Sequence, residues 1–352
     1  MIDSEETLGE SLPKIRKASW IALDTEADSL HAYPEKLCLI QIGLPDDELL
    51  VDPLADMPLE SLWQALQRHE LILHGADYDL RLLHKTGGFV PENIFDTMLA
   101  ARLAGCRQFG LTDLVFQFLG MRLEKGPQKA NWARRPLTER MEVYALNDVR
   151  FLNRLADLLR EKLASKNRLA WHQEWCARLI NECAMSRRPD PDQVWRVKGS
   201  HQLAPSELAI LREVWNWRED EAVRSNKPPY FIMAPTAMID IATAAVNKLN
   251  LQSVLPPRLS SRRKSGVREA VRKGLAATSL PERPRRSGRR PTEAEKARYN
   301  ELEKRRDAQA TLLDIDGTLI ASRASLMALA RDWETASQEL MRWQMALLQP
   351  GA

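Results

Sequence analysis

Trp20-Ile-Ala-Leu-Asp24-Thr-Glu26, followed after a polar interval by Leu37-Cys-Leu-Ile-Gln-Ile42, is the stretch from which the fold of this chain is read. Both apolar runs have the length and composition of strands, and the segment between them is turn-like. Asp24 and Glu26 close the first run two positions apart, so strand alternation sets both side chains on one face of its end. Two carboxylates crowded there repel each other unless a positive charge lies between them, and a divalent metal is the simplest such charge. A strand that leaves into a solvated turn also ends in acids, and the stretch alone leaves both readings open.

Working outward, Leu49-Leu-Val51 reads as a third strand and Pro58–Arg68 as an amphipathic helix. Leu71-Ile-Leu73 is a fourth strand, and His74-Gly-Ala-Asp77-Tyr-Asp79 comes directly after it. A helix starting near Leu80 closes at Gly88, and Asp96 is placed to cap a helix that begins at Thr97. Leu111–Gly120 is a short helix, and Lys125–Leu137 a basic loop. From Thr138 a helix is expected to run without a breaker to about Lys162, with Tyr144 and Asp148 on one face. Strands alternating with helices indicate an α/β sheet, in which ligands bind near the carboxyl ends of strands. Beyond Ala164 the signals turn helical. Arg187-Arg-Pro-Asp-Pro-Asp192 breaks one helix, Pro205 starts a long one, Pro235 another, and a last helical region runs from about Thr292 to Met345.

The 352 residues are enough for two or three domains, and a hydrophobic content of 44% supports a sizeable core. No apolar run reaches the length of a membrane-spanning helix. The acidic start, Met1-Ile-Asp-Ser-Glu-Glu, lacks the basic and apolar regions of a signal peptide. Cys38, Cys106, Cys176 and Cys183 form no close pair, which suits a reduced, cytoplasmic protein. The net charge is +3, yet Arg258–Arg306 holds 17 Lys and Arg against 6 Glu, a surplus of +11 that leaves −8 for the rest. An acidic body joined to a basic segment suggests a negative polymer as partner, against the plainer reading of a solubilising linker.

Asp24, Glu26, Asp79 and Asp148 are the acids at ordered positions, and four carboxylates are enough to hold two divalent ions roughly 4 Å apart. Mg²⁺ or Mn²⁺ prefers such oxygen ligands. The pair of ions suits phosphodiester hydrolysis, with Tyr144 beside Asp148 orienting or helping to deprotonate the attacking water. By spacing alone Asp77 competes with Asp79.

Asp24-Thr-Glu26, His74-Gly-Ala-Asp-Tyr-Asp79 and Tyr144-Ala-Leu-Asn-Asp148 resemble the three exonuclease motifs of the tyrosine-bearing branch of the DEDD superfamily, and within it the ribonuclease D family. Leu37–Ile42 resembles that family's second strand, and Arg135-Pro-Leu137 its approach to the third motif. The resemblance implies a ribonuclease H-like exonuclease domain over 1–165, with a mixed sheet flanked by helices. It also implies Asp24, Glu26, Asp79 and Asp148 as ligands of two metal ions, Mg²⁺ or Mn²⁺, and Tyr144 as the residue that positions water. It selects Asp79 over Asp77 and gives Asp96 a supporting role. Leu211-Arg-Glu213, Trp217-Arg218, Ala222 and Pro228-Pro229 resemble the HRDC module, a small helical domain, here over 205–285 after a helical linker 166–204. Arg305-Arg-Asp307 and Ala328-Leu-Ala330 suggest a second, diverged copy over 290–352. Such modules usually help bind nucleic acid, and a purely packing or oligomerising role is the alternative.

Other signals carry less. Leu313-Asp314-Ile-Asp316-Gly-Thr318 looks like the aspartyl-nucleophile motif of haloacid dehalogenase-like phosphatases, but that motif needs a parallel sheet downstream, and the residues after Thr318 read as helical. It reads as a turn between helices. His74 is expected to shape the site rather than act as a base, and the remaining histidines have no zinc spacing. Trp171, Trp175, Trp195, Trp215 and Trp217 fall at helical spacing, where core filling outweighs base stacking. The expectation is a monomeric, metal-dependent 3′–5′ exoribonuclease that trims tRNA-like or other stable RNA 3′ ends to 5′-mononucleotides. An exodeoxyribonuclease and a non-catalytic nucleic-acid-binding protein are the alternatives, separable by digestion of matched RNA and DNA oligomers.

Overall fold

The computed structural model describes residues 1–124, 126–185, 190–283 and 289–349. Lys125, Arg187, Arg188, Pro189, Arg285 and Arg286, which figured in the loop, helix-break and charge readings above, lie outside the described residues. The chain divides into two compact units: Met1–Ala27, Leu37–Ser186 and Arg290–Ala352 form one, Asp28–Lys36 and Arg187–Arg289 the other.

The first unit is built on a five-stranded sheet. Its strands are β1 (Ile21–Ala27), β2 (Leu37–Gly43), β3 (Glu48–Val51), β4 (Glu70–Leu73) and β5 (Asn93–Asp96), in the order β3-β2-β1-β4-β5. The β1–β2 and β2–β3 pairs are antiparallel, the β1–β4 and β4–β5 pairs parallel. The sheet is therefore mixed, as expected. Helices cover it: α1 (Glu5–Lys17), α2 (Glu60–Gln67), α3 (Asp77–Gly87), α4 (Thr97–Leu103), α5 (Leu111–Leu119), α6 (Glu139–Arg150), α7 (Leu152–Ser165) and α8 (Leu169–Ala184). Alternation along β1 divides the core. Ile21 and Leu23 pack into a cluster with α1, α2, α3 and part of α8, whereas Ala22 joins Ile72, Phe95 and the apolar faces of α4 and α7.

Two boundaries differ from the sequence reading. The helix after β4 begins at Asp77, not Leu80, so Asp79 lies in its first turn. The expected single helix from Thr138 is two, α6 ending at Arg150 and α7 starting at Leu152, with Phe151 (φ −102°, ψ −5°) between them. The offset leaves the apolar periodicity intact. Val149 and Leu152, on either side of the offset, are both fully buried in the sheet-side cluster, so the two helices present one continuous apolar face to it.

The second unit contains α9 (Pro205–Ser225), α10 (Pro229–Ile232), α11 (Pro235–Val246), α12 (Leu251–Val254) and α13 (Ser261–Leu275). Glu221, 1% exposed on α9, accepts from Arg262 and from Arg263 Nε (2.8 Å), which ties α13 to α9. The Tyr33 hydroxyl of the 28–36 segment donates to Glu219 at 2.5 Å within this unit.

Residues after Arg290 return to the first unit as α14 (Glu293–Leu313), α15 (Gly317–Ile320), α16 (Arg323–Arg331), α17 (Trp333–Ser337) and α18 (Arg342–Leu348). Their order repeats that of α9–α13: a 21-residue helix, a left-handed residue (Asn226, φ 46°; Asp314, φ 50°), then a four-residue helix. Asp314 is thus a helix C-cap and Asp316 the N-cap of α15, accepting from Thr318 N at 2.7 Å, which is the turn expected there. Tyr299, Leu302, Ile320, Leu326 and Trp343 are buried in one cluster with Leu103, Leu155, Leu159 and Leu163. Arg168, 4% exposed, adds hydrogen bonds to the carbonyls of Leu103 (2.6 Å) and Leu313 (2.5 Å).

Each large apolar side chain of that cluster contributes about 1.5–3 kcal/mol by burial, so losing several removes most of a typical domain's stability. A chain ending at Arg289 is therefore expected to precipitate or to melt at least about 10 °C below the full chain. Equal melting temperatures by circular dichroism would contradict this.

Candidate active site

The site grows from the free end of β1. Its pairing with β4 covers only Ile21 and Ala22, while pairing with β2 continues through Asp24↔Gln41 and Glu26↔Leu39. Past Ala22, the β4-facing edge of β1 is therefore open to the element that comes after β4 in sequence. That element is α3, and Asp79 in its first turn takes up the edge: the Thr25 hydroxyl donates to Asp79 Oδ1 at 2.5 Å, and the Thr25 backbone N–H adds a second hydrogen bond. Thr25, between the two acids of the strand, thus anchors the third. Asp79 is 6% exposed, whereas Asp77 lies at the surface in an ion pair with Arg81 (2.9 Å).

The turn that launches α3 is held by Asp96 at the end of β5. This buried carboxylate accepts from the backbone N–H groups of Gly75 (3.0 Å), Ala76 (2.8 Å), Met98 (2.8 Å) and Leu99 (3.1 Å). One side chain therefore caps α4 and fixes the β4–α3 turn together, a stronger role than the cap read from sequence. His74 in the same turn bonds through Nδ1 to Thr97 Oγ1 (2.9 Å), and the Thr97 hydroxyl donates to the Leu73 carbonyl (3.0 Å). With its one proton committed, Thr97 accepts from Nδ1–H, which sets the tautomer of His74. Burial lowers the pKa of His74 and keeps the ring neutral. This is a structural placement, in line with the shaping role expected for it.

Asp148 arrives from the other direction, on α6. Close approach of α6 to the sheet is made at Gly43, where an added Cβ would stand 3.2 Å from the Val149 carbonyl oxygen. The start of α6 is fixed by Arg135, which pairs with the buried Asp52 and donates to the carbonyls of Cys38 (2.6 Å) and Trp132 (2.7 Å). Tyr144, one turn before Asp148, hydrogen-bonds to it through its hydroxyl. Gly126 packs on the Tyr144 ring, with its missing Cβ directed onto Cδ2, so a side chain there would force the ring or the backbone to move. Thr25, Gly126 and Arg135, with Gln41, whose side-chain amide donates to Asp24 Oδ2 at 3.5 Å, thereby join the site without having been singled out as site residues in the sequence. The signal that was available for Thr25 was its hydroxyl inside the Asp24-Thr-Glu26 run.

The result is a crowd of carboxylates. Asp24, Glu26 and Asp148 each present an oxygen, and these oxygens all lie within 4.8 Å of one another. Burial, then repulsion from Asp79, Asp148 and Glu26, drives the pKa of Asp24 well above the carboxylate range. Burial and the charges of Asp148 and Asp79 push Glu26 to about 9. Burial pushes Asp79 to about 7 despite the Thr25 hydrogen bonds, and Asp148 to about 7 despite the one from Tyr144. Tyr144 is raised too, by burial and by the nearby acids, so its phenol stays protonated. Oδ2 of Asp148 is buried and has no hydrogen-bond partner among the described residues. An all-oxygen donor set of this kind, self-repelling and with an orphaned oxygen, fits a divalent cation. Asp79 is outside the group of three but within electrostatic reach of Asp24 and Glu26.

Known proteins resemble this chain over most of its length. The model of a 3′–5′ exonuclease family matches residues 1–164, and that of the HRDC domain residues 207–249. The ribonuclease D of Desulfotalea psychrophila is 30% identical over 334 residues, covering 93% of this chain and 89% of its own length. That of Gluconacetobacter diazotrophicus is 30% identical over 290 residues, covering 80% and 72%. The crystal structure of Escherichia coli ribonuclease D superposes with a TM-score of 0.75 at 24% identity, over 100% of this chain and 92% of that one, a likeness of fold. Among the described residues no helix is long and apolar enough to cross a membrane. With the carboxylate cluster on the fold that these relatives share, the chain belongs to the ribonuclease D family of 3′–5′ exoribonucleases, its exonuclease domain followed by an HRDC domain.

Proposed function

We propose that this chain removes nucleotides one at a time from the 3′ ends of structured, tRNA-like RNA and releases 5′-mononucleotides. The observation that carries the reading is the set of three carboxylate oxygens within 4.8 Å beside a protonated tyrosine. Asp24, Glu26 and Asp148 would hold divalent ions, with Asp79 completing the set. Bound Mg²⁺ or Mn²⁺ supplies the charge that lowers the pKa of the attacking water and neutralises the scissile phosphate. Tyr144 is the water-positioning residue: its hydroxyl donates to Asp148 and keeps lone pairs free to accept from a water held beside that carboxylate. Thr25 and Asp96 act through Asp79, one by bonding it and the other by fixing the turn that carries it. Structured RNA as the substrate is supported by family membership and by the exposed cations of α13. The Escherichia coli relative is itself an exoribonuclease involved in structured RNA processing. The helix order shared by α9–α13 and α14–α18 supports reading 290–352 as a diverged HRDC-like module.

Asp24→Asn and Asp148→Asn are each expected to lower turnover by at least about a thousandfold with the far-ultraviolet spectrum unchanged. EDTA should silence the wild type, Mg²⁺ or Mn²⁺ restore it, and a circular RNA survive. Full hydrolysis in metal-free buffer, or cleavage of the circle, would sink the reading. Side-by-side digestion of matched RNA and DNA oligomers decides the sugar.

The pKa directions give a stability signature. Glu26, Asp79 and Asp148 have folded values of about 9, 7 and 7, above their ordinary ones, so the metal-free folded state binds more protons than the unfolded chain. That stability is complete below the ordinary carboxylate pKa and is lost as pH rises through the folded values. The melting temperature in EDTA should therefore fall from pH 6 to pH 8.5, and about 10 mM Mg²⁺ should raise it more at the higher pH. A Mg²⁺ effect that shrinks with rising pH would show that the carboxylates are not its target.

Arg258 and Lys273 are exposed in the HRDC unit, and Lys264 is half-exposed. Replacing all three with Gln should weaken binding of a tRNA-like RNA and flatten the log affinity against log salt slope by about two to three units. Turnover of a short saturating oligomer should stay near the wild-type value. An unchanged slope would remove these cations from RNA capture.

A further inference from the structure

Away from the carboxylate cluster, a groove of about 600 Å³ is lined by Ala170, Trp171 and Glu174 of α8 and by Arg342 and Trp343 of α18, all in the first unit. Its walls are fixed. Trp171 and Trp343 stack at 4.8 Å between ring centroids and 11° between planes. Glu174 Oε1 accepts the backbone N–H of Arg342 at 2.8 Å, and one turn further along α8 the Arg178 guanidinium donates to the Glu339 carbonyl at 2.6 Å. These bonds set the start of α18 against α8, so the carboxylate and the indoles hold their relation. Trp343 is 4% exposed, and its indole N–H has no partner among the described residues. Trp171 is half-buried and Arg342 exposed, and among the described residues the Arg342 guanidinium forms no ion pair. Packing accounts for Trp343. The cavity is otherwise lined by an exposed guanidinium, a carboxylate with a spare oxygen, and the part-exposed Trp171, which Trp343 covers on one face and whose ring centroid lies 5.7 Å from the Arg168 guanidinium carbon.

The donors and acceptors specify an occupant. The volume lies within the range of small-ligand sites and admits one nucleotide. An indole surface stacks on any nucleobase. A carboxylate discriminates, because guanine alone among the four RNA bases presents two adjacent donors, N1–H and N2–H, on its Watson–Crick edge. Adenine offers an acceptor at N1, which a carboxylate repels. Glu174 has already given one lone pair to the Arg342 backbone, and that bond orients it while Oε2 and the remaining lone pair of Oε1 stay available. Arg342 supplies the cation for a phosphate. We propose that this groove binds an unpaired guanine nucleotide of the RNA substrate, stacked on Trp171, read by Glu174 and held through its phosphate by Arg342. The proposal rests on the reading of RNA as substrate. It adds a base-selective anchor outside the metal site, so the enzyme would favour RNAs that present an unpaired G.

The test uses the full-length Asp24→Asn protein in EDTA, which removes the carboxylate site as a competing place for a product nucleotide. GMP, AMP, CMP and UMP are titrated by tryptophan fluorescence and calorimetry. GMP should bind saturably, with the other three at least about tenfold weaker. Glu174→Gln, which keeps the acceptor for the Arg342 N–H, should weaken GMP about tenfold and leave AMP unchanged. Arg342→Ala should reduce GMP affinity to that of guanosine. Equal melting temperatures confirm that both variants fold. Absence of saturable GMP binding below about 5 mM, equal binding of all four nucleotides, or an unaffected Glu174→Gln variant overturns the proposal. So does quenching by an arginine-rich peptide that GMP fails to displace, which would mark a protein-docking groove. In an otherwise wild-type chain, Glu174→Gln should digest oligouridylate at the normal rate. If the wild type digests no RNA, the proposed function fails while the GMP titration still reports on the groove.

Discussion

Everything at the active end of the first unit answers to one constraint: carboxylates held closer together than they tolerate when charged. Asp24, Glu26 and Asp148 present oxygens within 4.8 Å of one another, and burial adds to their repulsion. In water such charges at 4 Å interact by about 1 kcal/mol, but at the lower effective dielectric of a protein site the figure is several-fold larger. The chain therefore bears a strain that proton uptake or a cation relieves, and the surrounding structure is what keeps the acids from turning away.

That surrounding structure draws on parts distant in sequence. Arg135 ties the loop before α6 to Asp52 and to the carbonyl of Cys38 on β2, so the helix carrying Tyr144 and Asp148 starts from a fixed point. Gly43 lets α6 close on the sheet, and Asp96 spends its four hydrogen bonds on two backbone segments, one of which leads to Asp79. Each contact acts on the backbone that carries a site residue. Hydrogen bonds made to a charged carboxylate are stronger than neutral ones, which suits Asp52 and Asp96 to holding backbone against the repulsion at the cluster.

How much of this was legible in the sequence depends on the kind of signal each part leaves. β1, β2 and the pairing of Asp24 with Glu26 on one face come from alternation, a local pattern. Asp79 did not emerge from spacing, because Asp77 stands two residues away. What separates them is the unpaired edge of β1, a property of sheet topology. The break at Phe151 was likewise hidden, since the residues around it, Val149-Arg-Phe-Leu152, contain no breaker and keep the apolar spacing of one unbroken helix. The groove beside Trp171 left a half-signal. Its tryptophan sat in a cluster assigned to core filling, and that assignment holds for the buried Trp195, while the partners that give the groove its chemistry lie about 170 residues apart.

The basic segment shows what geometry adds to composition. The +11 surplus of Arg258–Arg306 straddles both units, and its two halves are used differently. On α14, Arg298 donates to the Ala330 carbonyl (2.7 Å) and Arg305 to the Leu348 carbonyl (2.7 Å), while Arg306 pairs with Asp307 and Glu303. These guanidiniums terminate helices within the first unit, and their charge is tied to holding α16 and α18 in place. On α13, Arg262 and Arg263 share Glu221, but Lys273 lies exposed on the last turn, and Arg258 lies exposed ahead of the helix. Two helical runs of the same order have thus diverged in what their cations do. In the run after Arg290, Arg298, Arg305 and Arg306 are engaged within the unit, while Lys304, Arg323 and Arg342 stay exposed. The run before it keeps cations in solvent. Under the proposed function, a sequence-independent hold on RNA falls to α13 and its approach, and what α14–α18 adds comes from its shape and from single groups such as Arg342, which meets Glu174 of α8.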